Sequence, residues 1–154
     1  MGILITNRKN QKKLALEKIK KTAQIILNAL ECPDGELSLL ITDDLEIEIF
    51  NQDYLNRQGP TNVISFPMQQ GDFSEITPYL LGDVVISMDT AQREAENMNI
   101  TIEERFNELL VHGILHLFGY DHEKSVEDNA RMEDKTFEIL DIIKFSSFNP
   151  GEQP

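Results

Sequence analysis

The chain is short of cysteine, of histidine and of positive charge, and each shortage excludes something. Cys32 is the only cysteine among 154 residues, so no internal disulfide can form. It sits in a turn-like Cys32-Pro-Asp-Gly run and reads as a structural or exposed bystander rather than a nucleophile or metal ligand. No apolar run approaches the length of a membrane span, and Ile3 to Ile5 is far too short for a signal-peptide core. The expectation is a cytoplasmic protein with no membrane role. Lys and Arg total 14 against 27 Asp and Glu, a net charge of −13. A general polyanion binder usually carries a basic footprint, so that class is disfavoured. The deficit is uneven, however. Half of the basic residues (Arg8, Lys9, Lys12, Lys13, Lys18, Lys20 and Lys21) fall before residue 25, beside Glu17 alone. This segment is either the solvated face of a helix or a local polyanion-docking patch on an acidic body.

The three histidines all lie in one stretch, His112-Gly-Ile-Leu-His116-Leu-Phe-Gly119-Tyr-Asp-His122. Residues four apart lie one above the other on a helix, so His112 and His116 share a face. Gly119 accepts the left-handed conformation found just past helix ends, and His122 can then swing back toward the first two. Three imidazoles converging on one point leave a fourth tetrahedral position open, as in catalytic zinc sites. A lone histidine on an apolar face is more often a packed core residue. That reading would have to explain three at once, with a glycine at the break.

Length bounds the chain to one domain, 1–154, with a frayed tail from about residue 146. Gly2 to Thr6 reads as a strand. Leu16, Ile19, Ala23, Ile26, Leu27 and Leu30 give an amphipathic helix from about Gln11 to Leu30. Glu36 to Thr42 reads as a second strand. Asp43 and Asp44 cap a helix from Leu45 to Asn56, with Leu45, Ile49, Phe50 and Leu55 as packing positions. A Gly59-Pro60 turn introduces a β-branched strand that Pro67 ends or pushes to a sheet edge. Gln69 to Tyr79 reads as a long, functional-type loop, and Leu80 to Ser87 as the fourth strand. Asp89 caps a helix to about Met98. Thr101-Ile-Glu-Glu104 is a capping-box sequence that opens a central helix to about Phe118. Ser125 caps a last helix to about Lys144. The order predicts an α+β domain: a mixed sheet of about four strands packed with about five helices, the metal site at the end of the central one.

Two likenesses qualify the histidine stretch. It resembles the zinc-protease pattern HExxHxxGxxH, except that Gly113 stands where that pattern has its Glu general base. The metal cradle is kept and the proton acceptor for peptide hydrolysis is missing. Three stretches together resemble a different family. They are Pro60-Thr-Asn-Val-Ile-Ser-Phe-Pro67, Leu81-Gly-Asp-Val-Val-Ile-Ser87 and the His112–His122 run, which is the most specific of the three. They resemble the bacterial YbeY-type metal-dependent endoribonucleases, also called rRNA maturation factors. The likeness runs from about Ile47 to the last helix, and the N-terminal third fits in layout only.

That resemblance implies zinc held by His112, His116 and His122. It also implies cleavage of single-stranded RNA, in maturation of the small-subunit ribosomal RNA 3′ end and in ribosome quality control. Ribosomal RNA and the ribosome or its small subunit are the implied partners. The family usually has an Arg directly after the aromatic residue that precedes its first motif strand. Here Leu55 follows Tyr54, and Arg57 comes two residues later. Arg57 is the best candidate for the cation that stabilises developing phosphorane charge, beside the alternative of a plain surface Arg. Asp121 reads as the acceptor that orients a ligand histidine, as a proton acceptor, or as a loop cap. Tyr120 packs under the loop, and Ser65 lines the site edge or is a plain strand serine. Two other functions stay open: a metalloprotease-like hydrolase of unknown substrate, and a non-catalytic zinc-containing module docking on the ribosome.

Overall fold

The computed structural model describes residues 2–8, 15–68, 79–120 and 125–148, with side chains to 146. The predicted long loop, Asp121, His122 and the predicted frayed tail lie almost wholly outside them. The elements are β1 (Ile3–Asn7), α1 (Leu16–Ala29), β2 (Glu36–Thr42), α2 (Asp44–Leu55), β3 (Val63–Pro67), β4 (Leu80–Ser87), α3 (Met88–Met98), α4 (Ile102–Leu117) and α5 (Val126–Phe148). The four strands form one sheet in the order β1-β2-β4-β3. β1, β2 and β4 run parallel, and β3 pairs antiparallel with β4. Pro67 closes β3, which is an edge strand, where a missing backbone donor costs least. The predicted α+β layout of four strands and five helices is the one observed.

Alternation along the strands assigns each face of the sheet. Leu37, Leu39, Ile41, Val84 and Ile86 face a core built with α1, α4 and α5, reaching from Ile3 to Ile143. Ile64 and Val85 face the other way, where Ile47 of α2 covers them. α4 is central, as its all-round apolar content predicts. Phe106, Leu109, Leu110, Val111, Ile114, Leu115 and Leu117 are all buried. Thr101 accepts from the Glu104 backbone N–H, and Glu104 accepts from the Thr101 backbone N–H, so both halves of the capping box are made.

Three details differ from the sequence reading. On α2, Leu45, Ile49 and Leu55 are exposed, while Ile47 and Asn51 are buried and Phe50 is half-buried. The helix turns its Ile47 and Asn51 side to the sheet, and its apolar content is spread around the axis, so periodicity could not select the face. The cap of α3 is Ser87, whose hydroxyl accepts from Thr90, with Asp89 in the first turn. α5 continues to Phe148, past the expected Lys144.

Asp44 joins the ends of three elements. Its carboxylate accepts from the Ser87 and Thr90 hydroxyls, each at 2.6 Å, and pairs with Arg93 at 2.8 Å. Burial alone would raise its pKa. The hydrogen bonds from Ser87, Thr90 and Arg93, with the charge of Arg93, outweigh burial and hold it below the ordinary carboxylate value.

Candidate metal centre

His112 and His116 belong to α4, the central helix, half of whose residues are buried. Both are half-buried near its C-terminal end. Their Nε2 atoms stand 3.1 Å apart and their ring planes are 70° apart. A tetrahedral zinc with ligand bonds of 2.0–2.1 Å sets neighbouring nitrogens about 3.3 Å from each other. The observed spacing therefore fits two ligands of one ion. An N–H···N hydrogen bond between two neutral rings has the same length. Zinc ligation aims both nitrogens at the ion, and a hydrogen bond aims one nitrogen at the other.

The helix ends as the glycine predicts. Gly119 has φ +93°. Its N–H donates to the His116 carbonyl at 3.0 Å and that of Tyr120 to the Leu115 carbonyl at 3.1 Å. Tyr120 is half-buried against the core, which fixes the direction in which the chain leaves α4. The proposed third ligand, His122, and Asp121 lie outside the described residues. Among the described residues no group of three metal-ligating side chains converges.

Gly113 has a role that the sequence reading missed. A Cβ there would lie 2.7 Å from Val84 Cγ1 and 3.2 Å from Val63 Cγ2. Glycine lets α4 settle onto β3 and β4 at backbone distance. A Glu side chain at this position would be driven into the sheet, so the protease base is missing for a steric reason. Ser65 completes the contact: its hydroxyl donates to the Gly113 carbonyl at 2.7 Å. Ser65 thus ties the edge strand to the turn that carries both histidines. The signal available in the sequence was a glycine in mid-helix, costly in propensity and therefore a mark of close approach.

One turn before His112, Glu108 pairs with Arg105 at 2.7 Å. Arg105 also binds Glu94 at 2.9 Å, and Glu94 accepts from Asn62 Nδ2. This chain of contacts holds α3, α4 and the approach to β3 together. Periodicity gives no sign of it. Arg57 is exposed just after α2, and its backbone N–H closes the helix end on the Asn51 carbonyl at 3.1 Å. No hydrogen bond or ion pair among the described residues brings its guanidinium to the histidines. Cys32 is half-buried; burial, and next the charge of Asp34, push its thiol pKa up, so it is no activated nucleophile.

The family model described as Endoribonuclease YbeY matches residues 4–144. The chain belongs to the YbeY endoribonuclease family. A family member from Syntrophotalea carbinolica is 52% identical over 146 residues, covering 94% of this chain and 97% of that one. Another, from Geobacter sulfurreducens, is 50% identical over 145 residues with the same shares covered. Both carry the name Endoribonuclease YbeY. The solution structure of a Thermotoga maritima protein superposes with a TM-score of 0.66 at 26% identity, over 99% of this chain and 96% of that chain. The YbeY match begins at residue 4, so it takes in the N-terminal third that fitted in layout only. No helix among the described residues is long and apolar enough to cross a membrane.

Proposed function

We propose that this chain is a zinc-dependent endoribonuclease that cuts single-stranded RNA. His112, His116 and His122 would hold the ion. Its setting would be maturation of the small-subunit ribosomal RNA 3′ end and ribosome quality control in the cytoplasm. The observation that carries the reading is the 3.1 Å approach of two imidazole Nε2 atoms, near the edge length of about 3.3 Å in a zinc tetrahedron, in a chain of the YbeY family. Bound zinc supplies a Lewis acid and a water acidified to a pKa of about 7.

The chain's own residues do the rest. The Ser65–Gly113 bond and the glycine contact fix the height and rotation of the histidine turn against the sheet. Arg57 is the proposed counter-charge for the phosphoryl oxygens, on an exposed segment that an RNA chain can reach. The acidic body weakens binding to naked RNA, so a substrate presented on the ribosome, with partner cations, suits this chain better. On the docking-module reading, the basic N-terminal segment would carry the binding. Lys18 of that segment is already paired with Glu103 at 2.8 Å, which reduces the charge it can offer. The peptidase reading meets the sheet at Gly113.

The test is cleavage of single-stranded RNA by the purified chain and by His116→Ala, with a chelator control and a zinc titration of both proteins. Cleavage and zinc affinity should each fall by at least about a hundredfold in the variant, more than loss of a ligand's hydrogen-bonding partner costs. Cleavage that persists in His116→Ala would overturn the proposal.

A further inference from the structure

The face of the sheet opposite the histidines holds an open groove of about 410 Å³. Phe50, Tyr54 and Phe66 form its aromatic wall. Phe50 and Tyr54 stack with centroids 6.0 Å apart, and Phe66 meets Tyr54 edge-on at 5.5 Å. Tyr54 remains 67% exposed although it is anchored by two rings. Thr6, Ser38 and Asp83 bring polar groups to the floor. Arg8 reaches the same groove and is paired with Glu46 at 2.8 Å.

We propose that this groove takes an unpaired base of the RNA substrate, stacked on Tyr54 and Phe66. The inference rests on the nuclease reading and adds a subsite to it. Three features select a base. The wall is ring surface held in place, and base–aromatic stacking is tolerant of sequence because every base has a π face. Among the described residues that line the groove there is no excess of positive charge, since Arg8 is balanced by Glu46 and Asp83 adds a carboxylate. A phosphate is therefore disfavoured there and a neutral heterocycle is not. The floor offers hydroxyls and a carboxylate that match the N–H and acceptor edges of a base.

The groove and the candidate centre share strand β3. Ser65 and Phe66 are neighbours on β3 and point to opposite faces. The first is bonded to the histidine helix and the second lines the groove. β3 is the edge of the sheet, so one strand separates the two sites and a single RNA strand can pass around it. Tyr54 precedes Arg57 by three residues, with the end of α2 at Leu55 between them.

The test is fluorescence anisotropy of a short labelled single-stranded oligoribonucleotide titrated with the full chain, a chelator present to hold back cleavage. Tyr54→Ala should weaken binding about tenfold, and Tyr54→Phe should bind as the wild type does. An oligomer with the bases removed should bind poorly to both the wild type and Tyr54→Ala, with no difference between them. Without chelator, Tyr54→Ala should raise KM and leave kcat in place. Unchanged affinity and KM in both Tyr54→Ala and Phe66→Ala would overturn the groove and leave that face to a protein partner. If His116→Ala abolishes cleavage in the same series, the nuclease reading stands without the groove. If cleavage ignores His116 while Tyr54→Ala still weakens base-dependent binding, the groove stands and the metal reading falls.

Discussion

On one side of the sheet α4 buries half of its 16 residues, sets a glycine against two strands and is capped at its start by a complete capping box. On the other side α2 buries two of its 12 residues and leaves Leu45, Ile49, Tyr54 and Leu55 exposed. Both helices carry residues proposed above to act on RNA, but they are held differently. Ligands for one ion must keep their spacing to a few tenths of an ångström, so they sit where packing permits little movement. A surface that stacks bases tolerates adjustment, so it can be built on a helix with few buried residues, whose C-terminal half is held by the bond from Asn51 Nδ2 to the Gly59 carbonyl. Its N-terminal end is held by Asp43, which caps α2, together with Asp44 and its bonds to β4 and α3.

Gly113→Glu would break the tight side outright. The side chain must displace Val84 or enter the core as an unpaired carboxylate. Denaturant unfolding should show a loss of about 4 kcal/mol or more, or no folded protein at all, and no peptidase activity should appear. A Gly113→Glu variant that folds with intact stability would mean that α4 can stand off the sheet. Asp44→Asn tests the anchor of the looser side. The carboxyl pKa of Asp44 is depressed on folding, so its contribution is fully present above the ordinary carboxylate range. That contribution is lost as pH falls through the folded-state value. The variant should melt below the wild type at pH 7, and the gap should narrow as both proteins are taken into the acid range where Asp44 is protonated. A gap that is constant with pH would assign the effect to packing alone.

The sequence carries the tight side more plainly than the loose one. The capping box at Thr101, the helix exit at Gly119, the edge position of β3 and the order of all nine elements follow from local chemistry and period. So does the pairing of His112 with His116, because a helix fixes what lies four residues apart. α2 was legible as a helix and not as a face, since its apolar residues Leu45, Ile47, Ile49, Phe50 and Leu55 surround the axis. Only contact with Ile64 and Val85 selects Ile47. The Ser65–Gly113 bond spans 48 residues and the Asp44–Ser87 bond 43, and no local period reports such partners.

Ser65→Ala sharpens the comparison without unfolding either side. It removes one hydrogen bond to the Gly113 carbonyl, a loss of about 1 kcal/mol in denaturant unfolding. Because that carbonyl lies between the two histidines, zinc affinity should also fall by several-fold. A cysteine or threonine at 65 that keeps the protein folded but restores affinity only when it can donate to the carbonyl would identify the bond as the cause. A Ser65→Ala chain with wild-type zinc affinity would reduce the serine to a strand residue of ordinary stability.

The smallest expected effect lies on the outer face of α2. Leu45 is 74% exposed and Ile49 59%, one turn apart. Neither lines the aromatic groove. Leu45→Gln and Ile49→Gln leave little buried area to lose, so each should change stability by no more than about 0.5 kcal/mol. Zinc affinity and RNA binding should be unchanged, in contrast to Tyr54→Ala on the same helix. That contrast separates two uses of exposed apolar surface. If Leu45→Gln weakens RNA binding as Tyr54→Ala does, α2 acts as a whole and the rings have no special part. If only the rings matter, the looseness of α2 is confined to a helix whose outer side is free to vary while its inner aromatic edge is not.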